Sequence, residues 1–168
     1  MASLPVTLGA LVALVGLSAF FSSSETAIFT VPEDWLASPE ADDDPRAKRL
    51  RALRADPHRL LVTILVGNNV VNVAIASIST GLLVQYLPTG SAIPVATVVA
   101  SFVVLVFGEI VPKSYGLGNA ERWALVVAIP IRIVERLLYP LVVVFDYLTR
   151  SITALLGGET DIEAPYVD

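Results

Sequence analysis

The chain contains no cysteine and a single histidine, His58. Without thiols there is no disulfide framework, thiolate zinc site, iron–sulfur cluster or cysteine nucleophile, and one imidazole excludes a multi-histidine metal site. Charge is also scarce: charged residues make up 16% of the 168 positions, against about 25% in an average soluble domain. Acidic residues outnumber basic ones, sixteen to eleven, for a formal net charge of −5. That balance offers no basic footprint for nucleic acid, and none is expected as a partner. No Ser/His pair or metal-protease motif is present, so the chain is not read as an enzyme. What is abundant is apolar: hydrophobic residues are 55% of the chain and the mean hydropathy is +0.72. This is the composition of a membrane protein.

A helix that crosses a bilayer needs about 20 mostly apolar residues. Residues 3–24 carry no charge, and neither do residues 60–108. The second run suits two helices, divided by the turn-rich Tyr86-Leu87-Pro88-Thr89-Gly90-Ser91. Three spans are expected, at about 4–26, 60–86 and 92–111. A cleaved signal peptide fits the first run poorly, because no basic segment precedes it and the apolar stretch exceeds the usual length. Every Lys and Arg lies in one of two places. Arg46, Lys48, Arg49, Arg51, Arg54 and Arg59 separate the first two spans, and Lys113, Arg122, Arg132, Arg136 and Arg150 follow the third. The positive-inside rule then puts the N-terminus outside and the C-terminus in the cytoplasm of a multi-pass protein of the cell membrane.

Residues 46–58 are basic and helix-prone, with Leu50 and Leu53 on one face, and follow the acidic Asp42-Asp43-Asp44. Residues 120–156 are apolar but interrupted by Arg132, Glu135, Arg136 and Asp146. A charge at mid-bilayer costs about 2.5–3.5 kcal/mol on insertion scales, so a fourth span is not expected. Pro130 and Pro140 are expected to break this stretch twice. It reads as short amphipathic helices at the cytoplasmic interface, anchored by Trp123, Tyr139 and Tyr147. The fold class is therefore an all-α integral membrane protein, with three transmembrane helices plus cytoplasmic juxtamembrane amphipathic helices. Residues 1–156 form the membrane domain, and 157–168 read as a linker toward a further cytoplasmic domain.

Polar side chains inside a span call for an explanation. In the first span Ser18, Ser22 and Glu25 share a helix face, next to Ser23, Ser24 and Thr26. In the second, Gly67-Asn68-Asn69-Val70-Val71-Asn72 sets Asn68 and Asn72 on one face and points Asn69 about 100° away from Asn68. The third ends in Phe107-Gly108-Glu109-Ile110-Val111-Pro112-Lys113. Pro112 has no N–H, so the Gly108 carbonyl loses its helical partner beside Glu109, near a broken helix. Structural readings stand beside a functional one: serines that bond back to their own helix, amides that bond between helices, and a Glu109–Lys113 ion pair. The functional reading is an oxygen-only set of hydroxyls, amide carbonyls, a carboxylate and backbone carbonyls. Such a set suits Mg²⁺, Ca²⁺ or Na⁺ rather than zinc or copper.

These residues carry a resemblance. Phe20-Phe21-Ser22-Ser23-Ser24-Glu25-Thr26-Ala27 resembles the F-S-x-S-E-T-A opening of the CNNM/CorC family transmembrane domain. The segment around Gly67-Asn68-Asn69-Val70-Val71-Asn72 resembles that family's G-N-N-x-x-N, and Gly108-Glu109-Ile110-Val111-Pro112-Lys113 resembles its G-E-[IV]-x-P-K. The resemblance implies a homodimeric Mg²⁺ transporter that exports Mg²⁺ in exchange for Na⁺, with a dehydrated ion held by Ser, Asn, Glu and backbone oxygens. By motif position it implies Ser22, Asn68, Asn72 and Glu109 as ligands, with Gly116 as a backbone candidate. Ser24 and Gly108 are weaker ones, Ser24 because the serine motif repeats. Family members continue into CBS-type cytoplasmic domains. The alternative is an ion-binding membrane anchor or Mg²⁺ sensor that moves no ion and signals to a cytoplasmic module.

Overall fold

The computed structural model describes residues 3–155. The expected linker at 157–168 lies outside the described residues. All regular elements among the described residues are helical. They are α1 (Leu4–Thr30), α2 (Glu33–Leu36), α3 (Pro39–Asp43), α4 (Pro45–Arg54), α5 (Pro57–Leu83), α6 (Thr89–Val103), a π-helical turn (Val104–Ile110), α7 (Val111–Gly118), α8 (Ala120–Leu137) and α9 (Tyr139–Leu155). Three stretches are long and apolar enough to cross a membrane: Leu4–Thr30, Pro57–Leu83 and Gly90–Gly118. The chain is an all-α membrane protein.

Proline and a capping side chain set the helix starts between the first two spans. Pro39, Pro45 and Pro57 each open a helix, where a missing N–H costs nothing. Ser38, Asp44 and Asp56 precede them and accept from the backbone N–H of Ala41, Arg46 and Arg59. Asp56 and Pro57 thus end the expected 46–58 helix at Arg54 and start the second span three residues early. The charge this brings in at Arg59 is matched by Glu135 of α8, at 2.8 Å. In the polar segment, the guanidinium of Arg51 bonded to Asp42 holds that carboxyl below its ordinary range, and Arg46 does the same to Asp44.

Two proline expectations are corrected. The third span does not end at 111 and is not broken at Pro112; it runs as one helical stretch to Gly118. The π-helical turn before Val111 widens the register, so Pro112 enters as the second residue of α7 without a break. Pro130 likewise sits inside α8 without ending it, whereas the break expected at Pro140 is present: α8 ends at Leu137 and Pro140 stands in the first turn of α9. The two amphipathic helices α8 and α9 are therefore longer than the short pieces expected.

The polarity of the fold is inverted relative to a soluble protein. Val12, Val73, Val98 and Phe102 are exposed on the outer faces of the spans. Ser18, Ser22, Ser23, Ser24 and Thr63 are buried. Helix α1 lies at the centre, packed on α5, the π turn, α7 and α8. Its Phe21, Ala27 and Ile28 join Ile64 and Ile75 of α5 and Ala124, Val127, Ala128 and Ile131 of α8 in one apolar cluster. Leu50 and Leu53 of α4 complete that cluster from the side. Trp123, expected as an interfacial anchor, is half-buried, and its indole N–H donates to Ser23 Oγ at 3.0 Å. Tyr139 and Tyr147 remain exposed, with the Arg59 guanidinium stacked 4.9 Å from the Tyr139 ring centre.

Leu50 is fully buried where α4 meets α8, so Leu50→Ala should lower stability by about 2–5 kcal/mol. Thermal unfolding in detergent should register that loss, with the exposed Arg49→Ala as a control within about 0.5 kcal/mol of the parent.

Candidate cation site

The polar residues of the three spans meet at one level. Ser18 of α1 is fully buried, and its Oγ lies 3.0 Å from Asn68 Oδ1 and 2.9 Å from Asn72 Oδ1. Their four-residue spacing puts both amides on the face of α5 that looks at α1. On its other side, Asn72 donates from Nδ2 to Glu109 Oε1 at 3.5 Å. That contact orients the amide: an ionised carboxylate only accepts, so it takes the NH₂ group and leaves the carbonyl facing Ser18. The arrangement is rich in oxygen and poor in protons. One serine hydroxyl supplies a single proton to two amide oxygens. A hard cation among such oxygens removes the conflict.

The π turn presents Glu109 and Gly108 to this cluster. A Cβ added at Gly108 would stand 2.8 Å from Ser18 Oγ, so glycine is what lets the third span approach. The turn also shifts the backbone account expected at Pro112. The N–H of Val111 bonds to the carbonyl of Val106, five residues back. The next position, Pro112, has no N–H with which to extend this five-residue pattern, and regular α-helix follows. π-helical turns of this kind occur frequently at functional sites.

The remaining expected residues divide. Ser22 is buried one turn beyond Ser18, and its Oγ has no hydrogen-bond partner. A buried hydroxyl left unpaired costs about 1–3 kcal/mol. Ser24 is also buried, but its hydroxyl donates to the Phe20 carbonyl at 2.6 Å. Of the two, Ser22 is the one with free capacity. Asn69 is exposed and donates back to the Leu65 carbonyl at 2.9 Å, away from the cluster. Gly116 stands seven residues after Glu109, about 10 Å along the helix. It is buried against the backbone carbonyl of Ser23. Lys113 pairs with Glu25 at 3.3 Å, so the alternative reading of a Glu109–Lys113 pair is not the one formed. The member of the cluster that motif matching passed over is Ser18. Its signal was the i,i+4 spacing to Ser22 on the same face.

On the side of Asn72 away from Ser22, a cavity of about 200 Å³ runs between α5 and α6. Asn72, Ala76 and Thr80 line one wall, and Thr97, Ala100 and Ser101 line the other. No group of three or more His, Cys, Asp or Glu side chains able to hold a metal occurs among the described residues. Any cation here is held mainly by neutral oxygens and one carboxylate.

A family profile described as the cyclin M transmembrane N-terminal domain matches residues 9–168. The chain belongs to the CNNM family. A chloroplastic DUF21 domain-containing protein of Arabidopsis thaliana is 37% identical over 157 residues, covering 94% of this chain and 24% of that protein. The UPF0053 inner membrane protein YfjD of Escherichia coli K12 is 33% identical over 146 residues, 87% of this chain and 34% of that protein. A UPF0053 protein of Synechocystis is 32% identical over 136 residues, 81% of this chain and 39% of that protein. The chain thus spans between 24% and 39% of the length of these relatives.

In this CNNM domain the close approach at Gly116 generates a prediction. A Cβ there would collide with the Ser23 backbone, which has no flexible end to move aside. Gly116→Ala should spread α1 from α7 and cost about 1–3 kcal/mol, read as a fall in melting temperature in detergent. Gly118→Ala meets nothing within 4 Å and should melt like the parent.

Proposed function

We propose that this CNNM domain carries Mg²⁺ across the cell membrane as a homodimer, exporting it in exchange for Na⁺. In this reading the dehydrated ion sits among Ser22, Asn68, Asn72 and Glu109, with backbone oxygens near the π turn completing its shell. The observation that carries the reading is the convergence of Ser18, Asn68, Asn72 and Glu109 from all three spans, beside the unpaired Ser22 hydroxyl. Lipid gives such a cluster no solvent, so its polarity needs an occupant. A site of neutral oxygens and one carboxylate binds weakly enough to release its ion, as transport requires. Small residues along α5, among them Ala74, Ala76 and Gly81, favour close packing of a second copy. The lengths of the relatives leave room for a CBS-type cytoplasmic domain.

The rival reading is an ion-binding anchor or sensor that moves nothing. Flux separates the two. Liposomes containing the protein and loaded with Mg²⁺ should release it when a Na⁺ gradient is imposed, whereas an anchor releases none. Glu109→Gln keeps the shape of the side chain and removes its charge, and a neutral amide cannot offset the dehydration of Mg²⁺. It should fold normally and lose flux at least about tenfold, the equivalent of 1.4 kcal/mol. Asn72→Ala should also lower flux, and Asn69→Ala much less. Parental flux in Glu109→Gln would contradict the site.

Topology is tested separately. The chain has no cysteine background. Ser91→Cys should react with an impermeant thiol reagent on intact cells, and Lys48→Cys, at an exposed position of α4, should react only after permeabilisation. The reverse pattern would invert the proposed orientation.

A further inference from the structure

Lys113 lies on the same continuous helical stretch as Glu109, four residues further on, and yet its ammonium is turned to Glu25 of α1 at 3.3 Å. Residues four apart on a helix have Cβ atoms about 5–6 Å apart, within reach of a lysine's four-carbon stem. Two carboxylates therefore compete for one ammonium. We propose that Lys113 is a tethered cation that takes the place of the transported ion on Glu109 when the site is empty, and that Glu25 is the counter-ion that draws it off. The inference rests on the cation-carrier reading above and adds two positioning residues to it, neither of them a ligand.

Three observations carry it. First, Glu109 has only a long amide contact, 3.5 Å from Asn72 Nδ2, to compensate its charge inside the spans. An uncompensated carboxylate there is costly, and a cation on the same helix is the nearest remedy. Second, the Glu25–Lys113 pair is loose. It is a single contact at 3.3 Å, with 44% of the lysine side chain and 25% of the glutamate side chain exposed. The ammonium is held by one contact rather than by a bidentate pair, so it can trade one carboxylate partner for the other. Third, the pair is not needed to hold α1 against α7 and α8. Gly116 already packs on the Ser23 carbonyl, and Trp123 Nε1 already donates to Ser23 Oγ at 3.0 Å.

The exchange involves rotation of one side chain and no movement of a helix. With Mg²⁺ on Glu109, Lys113 is repelled and rests on Glu25. When the ion leaves, the ammonium swings to Glu109 and neutralises it. Glu25 thereby sets how readily a cation displaces the lysine, and so sets the apparent affinity of the site.

The test is a titration of the full chain in detergent with Mg²⁺ alone, reading the ion's stabilisation of the fold as a shift in melting temperature. Glu25→Gln should raise the Mg²⁺ midpoint roughly five- to tenfold, because the released lysine competes for Glu109 with an energy of about 1 kcal/mol. Lys113→Met should give a midpoint equal to the parent's or lower. The double variant Glu25→Gln/Lys113→Met should return to the Lys113→Met value, since the damage of the first change acts through the lysine. A pair that merely clasps two helices predicts the opposite: Lys113→Met and the double variant would bind as weakly as Glu25→Gln, or more weakly. That result, or a parental midpoint in Glu25→Gln, overturns the inference. Should Glu25→Gln not fold, Lys113→Met decides alone, and a raised midpoint in it refutes the competition. A parent chain with no Mg²⁺-dependent shift overturns the carrier reading, and this inference with it.

Discussion

A carboxylate and a set of neutral oxygens held between apolar helices is the constraint around which the rest of the chain is arranged. Glu109 cannot be left among hydrocarbon without partners, and Asn72 is the partner it finds. That contact turns the Asn72 carbonyl toward Ser18, where Asn68 also points. The glycine at 108 exists in the same frame, because any side chain there would push against the Ser18 hydroxyl. The π turn is the backbone's part in this. It rotates Glu109 and Gly108 to the inner side and then lets the helix continue through Pro112.

The central position of α1 follows from the same constraint. Its serines are small enough to sit between the other two spans and polar enough to face their oxygens. Where the site ends, the packing becomes close: Gly116 on Ser23, Trp123 on Ser23, then the apolar cluster of Ile28, Val127 and Ile131. Beyond it two ion pairs join charges near the span ends, Arg59 with Glu135 and Arg150 with Asp146. Asp146 also lies 2.9 Å from His58, so α9 is fastened to the start of α5. The amphipathic helices are thereby joined to the span that bears Asn68 and Asn72.

Much of this was legible in the sequence, because lipid makes polarity conspicuous. Two charge-free runs, the second divided by a turn, yield the three spans, and the motifs around Ser22, Asn68 and Glu109 locate the polar faces. The inward pair Asn68 and Asn72 and the outward Asn69 follow from helical spacing alone. The helix ends did not follow so easily. Proline signals a break only when the backbone has no other register, and at Pro112 a π turn supplied one, whereas Pro130 was accommodated inside an amphipathic helix. Long-range pairing was invisible for a different reason. Lys113 sits closer in sequence to Glu109 than to Glu25, and no spacing pairs Trp123 with Ser23, 100 residues away. Ser18 was on the right face, yet no motif covered it.

The central claim is that the converging oxygens of the three spans hold a cation. A structure of the Mg²⁺-loaded protein in a lipid environment, resolved well enough to locate ions, tests it most directly. The account predicts ion density about 2.0–2.1 Å from the Glu109 carboxylate, bounded by Asn68, Asn72 and Ser22 oxygens. Density elsewhere, with Ser18 still bonded to both amides and Asn72 still bonded to Glu109, would contradict it.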